Sequence, residues 1–368
     1  MSNLAKPPEY QWLTFTPRDT VFIRDGRPFD AAAQTQAATV WPTPATVAGA
    51  TKIAFGAEPD AVCGPVLARD LGGDAGGRDV DGEWETYFPV PRDLVRDDES
   101  CVYRLRPESA GTACTDLDVE CWLLPPEDAG ATKDLSGWLP ADRLTDYLAG
   151  TLPVDAITQE RELSLEEDPL CPELRVGLAR KSDRSVKQGH LYQVTHLRPR
   201  SGWVFAAGCL LPAGWDRRAA GPVPFGGRGR LADVAPVSGL HLPEAPSNFP
   251  EGRVLVYLAT PAIWPSRADS PGGWRIPVPD GARLVAAAVG EPQPVATTTA
   301  DKDWKSNRVL RWAVPAGSVY LLQFDDPARA KRWACDEVDG VHGTAYGRPP
   351  NDRLRTAGFG LVLTGVWT

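Results

Sequence analysis

Proline and glycine punctuate this chain so often that long helices have little room. There are 36 prolines and 35 glycines among 368 residues. Each proline removes a backbone donor, and each glycine loosens a regular element. The apolar runs between them are short. This predicts many short strands joined by turns, with few and short helices. Proline inside several strand-like runs further predicts edge strands and long excursions. The length leaves room for two domains.

Hydrophobic residues make up 42% of the chain and charged residues 24%, as in a globular protein. No apolar run reaches the ~18 residues of a membrane span. The start, Met1 to Gln11, is polar and contains two prolines, unlike a secretory signal. Seven cysteines (63, 101, 114, 121, 171, 209 and 335) are an odd number with no CxxC pair. The four histidines, His190, His196, His241 and His342, form no HxH or HExxH pattern. A reduced, cytoplasmic protein with no metal centre and no cofactor is therefore expected.

The net charge of −9 hides an asymmetry. Residues 1–170 hold 31 acidic and 14 basic side chains, a net of −17; residues 171–368 hold 17 acidic and 25 basic, a net of +8. An acidic first half followed by a basic second half points to nucleic acid or to a charged partner surface.

Along the chain, Trp12 to Phe22 reads as a first strand, interrupted by Pro17. It runs into Arg24-Asp-Gly-Arg27-Pro28, a turn by its Asp-Gly pair. Two guanidinium groups and free backbone N–H groups at a strand end also suit an anion. Thr43 and Pro44 form an N-cap and first helical residue, with Val47, Ala50 and Ala54 at helical spacing behind them. Residues 68–83 are rich in glycine and aspartate and read as a mobile loop. Residues 84–126 read as short strands, Arg143 to Leu148 as a weak helix, and 155–170 as an acidic link.

Residues 175–200 carry Arg175, Arg180, Lys181, Arg184, Lys187, Arg198 and Arg200. A flexible basic segment is expected there, followed by a β-hairpin of 190–197 with 203–211. Gly177, Gly189, His190 and Tyr192 are interleaved with these cations. That mixture suits single-stranded RNA, with bases on the aromatic and phosphates on the cations, as well as it suits a solvated charged face. Further strands are expected at 253–259, 283–289, 318–324 and 361–367, with a short helix from Pro327 to near Val338. Irregular alternation with hairpins favours an α+β sandwich of antiparallel sheets over a doubly wound fold.

Two glycine loops stand out, Gly226-Gly227-Arg228-Gly229-Arg230 and Gly358-Phe359-Gly360. Neither is a P-loop or a dinucleotide fingerprint. They read either as turns and bulges or as places where a sugar–phosphate backbone approaches closely. Phe359 reads as core packing in the last strand. No GxSxG or HExxH appears, and Asp325-Asp326 reads as a helix cap. Each histidine reads as structural, with His190 as the one candidate base for RNA cleavage.

In order and spacing, several segments together resemble a known family. They are Arg24 to Phe29, Pro42 to Gly49, Arg175 to Leu178, the basic stretch ending Gly189-His-Leu-Tyr192, Phe225 to Leu231, Tyr257 to Ala262, and Ala357 to Gly365. The chain is similar over nearly its whole length to the third-subunit family of the Cmr complex. That complex is the type III-B CRISPR effector, and the family belongs to the RAMP superfamily. The resemblance implies two tandem ferredoxin-like (RRM-related) domains, taken as 1–165 and 166–368, with helices on antiparallel sheets and long Pro/Gly-rich insertions.

It further implies a non-catalytic subunit that holds the 5′ tag of a CRISPR RNA. Such a subunit docks on the large polymerase-like subunit and the backbone subunits of a hetero-oligomer, with no membrane contact. Arg24, Arg27, Thr46 and Lys52 are then candidate RNA contacts in the first half. In the second half they are joined by Arg175, Gly177, Arg180, Lys181, Arg184, Lys187, His190 and Tyr192, and by the two glycine loops, 226–230 and 358–360. Where the family often has an acidic residue in the first glycine loop, this chain has Arg228. The alternatives are a RAMP endoribonuclease that processes precursor RNA through His190, and a purely structural scaffold.

Overall fold

The computed structural model describes residues 10–24, 40–72, 83–109, 119–127, 129–152, 168–212, 221–227, 229–265, 273–298, 308–336, 338–349 and 352–367, with backbone alone at 188–192, 298 and 308. Strands are numbered here in chain order. The larger sheet has seven strands, all antiparallel to their neighbours. Its order is β13 (Val223–Pro224), β14 (Leu231–Pro236), β1 (Gln11–Pro17), β12 (Trp203–Leu210), β2 (Ala61–Asp70), β3 (Trp84–Pro89) and β9 (Trp138–Pro140). The second sheet has the order β16 (Ala282–Ala288), β19 (Val319–Phe324), β15 (Arg253–Leu258), β21 (Leu361–Gly365) and β20 (Thr344–Ala345). It is likewise antiparallel throughout.

The two sheets share a core because their central strands are apolar on both faces. In β15, Leu255 and Tyr257 join the same buried cluster as Val204 and Ala206 of β12 and Cys63 of β2. The alternate residues Val254, Val256 and Leu258 face a different cluster. Period-two alternation thus splits one apolar run between two cores. Helix α1 (Pro44–Phe55) covers the outer face of the larger sheet with Val47, Ala50 and Ala54. Helix α3 (Pro327–Cys335) covers the second sheet with Ala330 and Ala334. Small residues at these positions let each helix lie close on its sheet. Helix α2 (Ala141–Ala149) adds Leu144, Tyr147 and Leu148 to the shared core. The resulting layers are helix, sheet, sheet, helix, a mixed α/β architecture of mostly antiparallel strands.

Smaller ribbons decorate this frame. They are β4 (Leu94–Arg96) with β5 (Val102–Arg104) and β8 (Lys133–Asp134), β6 (Arg106–Ser109) with β7 (Cys121–Leu124), and β17 (Gln293–Thr298) with β18 (Arg308–Ala313). The longest is the hairpin of β10 (Leu170–Arg180) and β11 (Val186–Pro199).

That hairpin corrects two expectations. The basic segment is not flexible connection: 170–180 is a strand paired along its length with 186–199. Nor does 190–197 pair with 203–211, because β12 is inserted between β1 and β2 in the centre of the larger sheet. Trp203 to Cys209 is apolar enough to be buried on both faces, and only an interior position provides that. The first strand ends at Pro17 rather than Phe22, and contact resumes as a single bridge from Val21 to Leu197. Proline lacks the donor needed to continue the ladder.

The loop expected at 68–83 begins later. Ala68 to Asp70 completes β2 and pairs with both β12 and β3, while 73–82 lies outside the described residues. Most of the 155–170 link also lies outside them. Thr43 sits at the N-cap with Pro44 next, yet its hydroxyl faces the Thr46 hydroxyl at 3.2 Å and caps no backbone N–H. The larger sheet draws strands from both sides of residue 165, since β12, β13 and β14 join β1 to β3.

Candidate nucleic-acid interface

Two adjoining clefts of about 830 and 770 Å³ run along α1 and form one groove. Ala45, Gly49, Ala296 and Thr297 line both. One wall is the small-residue face of α1, and the other is the β17–β18 ribbon. At one end lie Phe22, Ile23, Arg24 and the glycines Gly226 and Gly227. At the other lie Lys52, Arg311, Arg348, Arg353 and Phe359. The tertiary structure therefore brings Arg24, Thr46, Lys52, Gly226, Gly227 and Phe359 to a single groove from four distant segments.

The cations at the far end differ in how they are engaged. Lys52 donates to Glu58 at 2.7 Å. Arg348 donates to Asp352 at 2.7 Å and to the Ile263 carbonyl at 2.6 Å. Arg353 lies within electrostatic reach of Glu58, whose carboxyl is lowered mainly by the hydrogen bond from Lys52, whereas no acidic partner of Arg311 is found among the described residues. Gly49 leaves the helix wall bare: a Cβ there would meet nothing within 4 Å.

The glycine loop forms the turn between β13 and β14, closed by Phe225 N–H to the Arg230 carbonyl at 2.8 Å. Gly226 holds φ +98°, and a Cβ there would lie 2.9 Å from the Phe22 carbonyl oxygen. The Gly227 N–H donates to that same oxygen at 2.6 Å. The close approach that glycine permits here is thus to the chain's own backbone. Gly358 is similar: at φ +98°, a Cβ would lie 2.5 Å from the Val62 carbonyl oxygen of the larger sheet. It serves contact between the two sheets. Phe359 is 2% exposed, as core packing requires. Arg27 and Arg228 lie outside the described residues, as do the side chains of His190 and Tyr192, whose backbones belong to β11.

The basic hairpin divides into a foot and a tip. At the foot, Asp19 accepts from Arg175 at 3.0 Å, from Arg198 at 2.8 Å, and from Arg230 of the glycine loop. Glu173 accepts from Arg175 and Arg198, each at 2.7 Å. Burial alone would raise the Asp19 carboxyl, but the hydrogen bonds from Arg175 and Arg198 and the charge of Arg230 outweigh it and hold it below the usual carboxylate range. Hydrogen bonds from Arg198 and Arg175 lower Glu173 in the same way.

His196 is buried there, bonded through Nδ1 to the Thr20 hydroxyl at 2.8 Å and stacked on Phe22 at 4.8 Å. Burial, with Arg230 and Arg175 nearby, lowers its pKa. Arg175 and Arg230 are therefore engaged in internal ion pairs. Gly177 lies mid-strand opposite Tyr192. At the tip, Arg180, Lys181, Arg184 and Lys187 are exposed. Asp183 between them bonds to Ser185.

His342 is also structural. It accepts from the Thr364 N–H at 2.9 Å and donates to the Pro243 carbonyl at 2.8 Å. Among the described residues no group of three His, Cys, Asp or Glu side chains is placed to hold a metal, and no helix is long and apolar enough to cross a membrane. Sequence reasoning missed the β17–β18 ribbon and with it Arg311, as well as Arg348 and Arg353. The β-branched and aromatic residues of the Val309-Leu-Arg-Trp312 run were the available signal.

Fold and groove together define a two-sheet α/β protein with a cationic cleft running past its outer helix. Residues 13–367 match the family described as CRISPR-associated protein (Cas_Cmr3), and the chain belongs to that family. No curated protein matches. Among solved structures it is similar to a chain in a cryo-EM structure of the type III-B Cmr-beta bound to cognate target RNA. There the identity is 14%, the coverage 84% of this chain and 86% of that one, and the TM-score 0.48. A second is the same type of assembly bound to cognate target RNA and AMPPnP, with 13% identity, the same coverage and a TM-score of 0.44.

Proposed function

We propose that this chain is the non-catalytic RNA-binding subunit of a cytoplasmic type III-B CRISPR effector. In this reading it holds the 5′ tag of the CRISPR RNA in the groove along α1 and bridges the large polymerase-like subunit to the backbone subunits. One observation carries the reading: the groove gathers cations and glycines from five separate segments, and one of its arginines, Arg311, has no acidic partner among the described residues. An unpaired guanidinium group among other cations beside an open, small-residue wall suits a phosphate backbone. The internal hydrogen bonds of His196 and His342 favour a binding role over a cleaving one.

The fold is read as two ferredoxin-like units. The orders β14-β1-β12-β2 and β21-β15-β19-β16 repeat the same arrangement of first, second, third and fourth strands. On this reading the units divide near residue 240 rather than at 165. We assign the bridging role to the exposed Leu174, Val176 and Leu178, which lie on one face of β10.

The test is photo-crosslinking with peptide mapping on the assembled complex, using CRISPR RNA labelled in its 5′ tag. Crosslinks in 22–24, 45–53, 225–230, 294–297 or 348–359 are expected. Tag crosslinks confined to other subunits would make this chain a scaffold. Precursor cleavage by the parent protein that is lost in His190→Ala would make it a nuclease.

A further inference from the structure

The β17–β18 ribbon carries an apolar face that begins inside the groove and continues out of it. Residues directly opposite one another on antiparallel strands lie on the same face of the ribbon. Leu310 is paired with Ala296, and Trp312 with Pro294. Leu310, Ala296 and Pro294 line the groove. Trp312 is therefore the next residue along that lining face. Trp312 is 56% exposed and Leu310 46%, and Ile53, on the α1 wall opposite, is 50% exposed. Two large exposed apolar side chains in the cleft, with a third, Trp312, beside them on the same ribbon face, are an unusual concentration for a protein surface.

Charge decides what fits them. Arg311 follows Leu310 in the same strand and has no acidic partner among the described residues, and Arg353 lines the same groove with Lys52 and Arg348, Glu58 lying near it. A purely apolar protein segment laid here would strip water from those guanidinium groups without pairing them. Single-stranded RNA offers both complements at once, a π face on every base and a negative charge on every linkage.

We propose that Trp312 is a stacking platform for one base of the RNA strand held in the groove, with Leu310 and Ile53 bordering that base, while Arg311, on the other face of the ribbon, and Arg353 take phosphates farther along the same strand. The inference rests on the reading of the groove as the RNA site. Because stacking tolerates any base, Trp312 positions a nucleotide and does not select its identity.

The experiment uses the assembled complex with CRISPR RNAs that carry a single abasic nucleotide at each tag position in turn. Affinity is measured for the parent protein, Trp312→Phe, Trp312→Ala and Arg311→Ala/Arg353→Ala, with thermal melting as a folding control. One abasic position is expected to weaken binding to the parent about tenfold. Trp312→Ala should weaken the intact RNA by a similar factor and become insensitive to that abasic site. Trp312→Phe should retain most of the affinity and the sensitivity.

If the arginine double variant binds weakly while Trp312→Ala behaves like the parent at every position, the platform is wrong and the groove reading stands. If the arginine double variant also binds like the parent, the groove reading fails with it. If Trp312→Ala releases a protein subunit and leaves the abasic profile unchanged, the face docks protein and the proposal is overturned.

Discussion

The molecule holds two arginine clusters, and they are used in opposite ways. At the hairpin foot, Arg175, Arg198 and Arg230 converge on Asp19 and Glu173. Three positive charges meet two negative ones, and the geometry ties three elements together. In the groove, Arg311 has no acidic partner among the described residues, and Arg353 has Glu58 only within electrostatic reach. Residue type is the same in both places. The neighbouring carboxylates make the difference between cations that brace the fold and cations that stand open.

The largest effect expected from breaking this contrast is on the groove. The double variant Arg311→Ala/Arg353→Ala should lower RNA affinity of the complex by tenfold or more. It should also flatten the salt dependence by roughly 1.4 in log–log slope, about 0.7 for each lost phosphate contact on a single strand. Its unfolding free energy should stay within about 0.5 kcal/mol of the parent, since both side chains are exposed. An unchanged salt slope would return these residues to ordinary surface charge.

Next comes the foot. Asp19→Ala removes the shared acceptor of three guanidinium groups. Because Asp19 is 41% exposed, the expected loss is modest, about 1 kcal/mol by urea denaturation, at the upper end for solvent-screened pairs. Proteolysis within 170–199 should quicken, while RNA affinity changes less than in the groove variant. A larger affinity loss than in that variant would reverse the assignment of the two clusters.

The pH dependence sharpens the same distinction. Asp19 and Glu173 have folded pKa values below their unfolded ones. Their contribution is therefore present above the unfolded carboxylate range near ~4 and is lost as pH falls through the folded values. His196 is lowered as well. The folded state resists its protonation, so stability declines as pH drops below ~6.5 toward the lowered value. Protection factors of the β10–β11 amides, taken relative to intrinsic exchange at each pH, should fall toward acid. In Asp19→Asn the part of this loss at the acid end should shrink. Protection factors in the parent that do not change with acid would remove the ion network as the hairpin's anchor.

The smallest effect is at Gly49. Its Cβ would meet nothing within 4 Å, so Gly49→Ala should stabilise α1 by up to about 1 kcal/mol. Gly49→Trp should leave the helix intact and obstruct the groove. Equal RNA affinity in both would place the RNA elsewhere.

Local chemistry made parts of this legible in advance. Thr43 and Pro44 marked the start of α1, and Val47, Ala50 and Ala54 its buried face. Phe359 read as core and is core. The hairpin of β10 and β11 was misread because its cations masked the period-two alternation of Leu174, Val176 and Leu178. Apolar residues in that ribbon face outward, so burial gave no cue. The β17–β18 ribbon was missed because its strands are short and half-exposed.

What the sequence by itself determined is the material of the fold. Proline and glycine kept the helices few and short, alternation made most other elements strands, and the order of motifs marked the family. What only the tertiary structure decided is which charges remain open. Asp19 and Arg230 are far apart along the chain, and so are Gly49 and Arg311. Whether an arginine meets a carboxylate depends on which strands become neighbours, and that follows from how two apolar strand faces are shared between sheets rather than from any local run of residues.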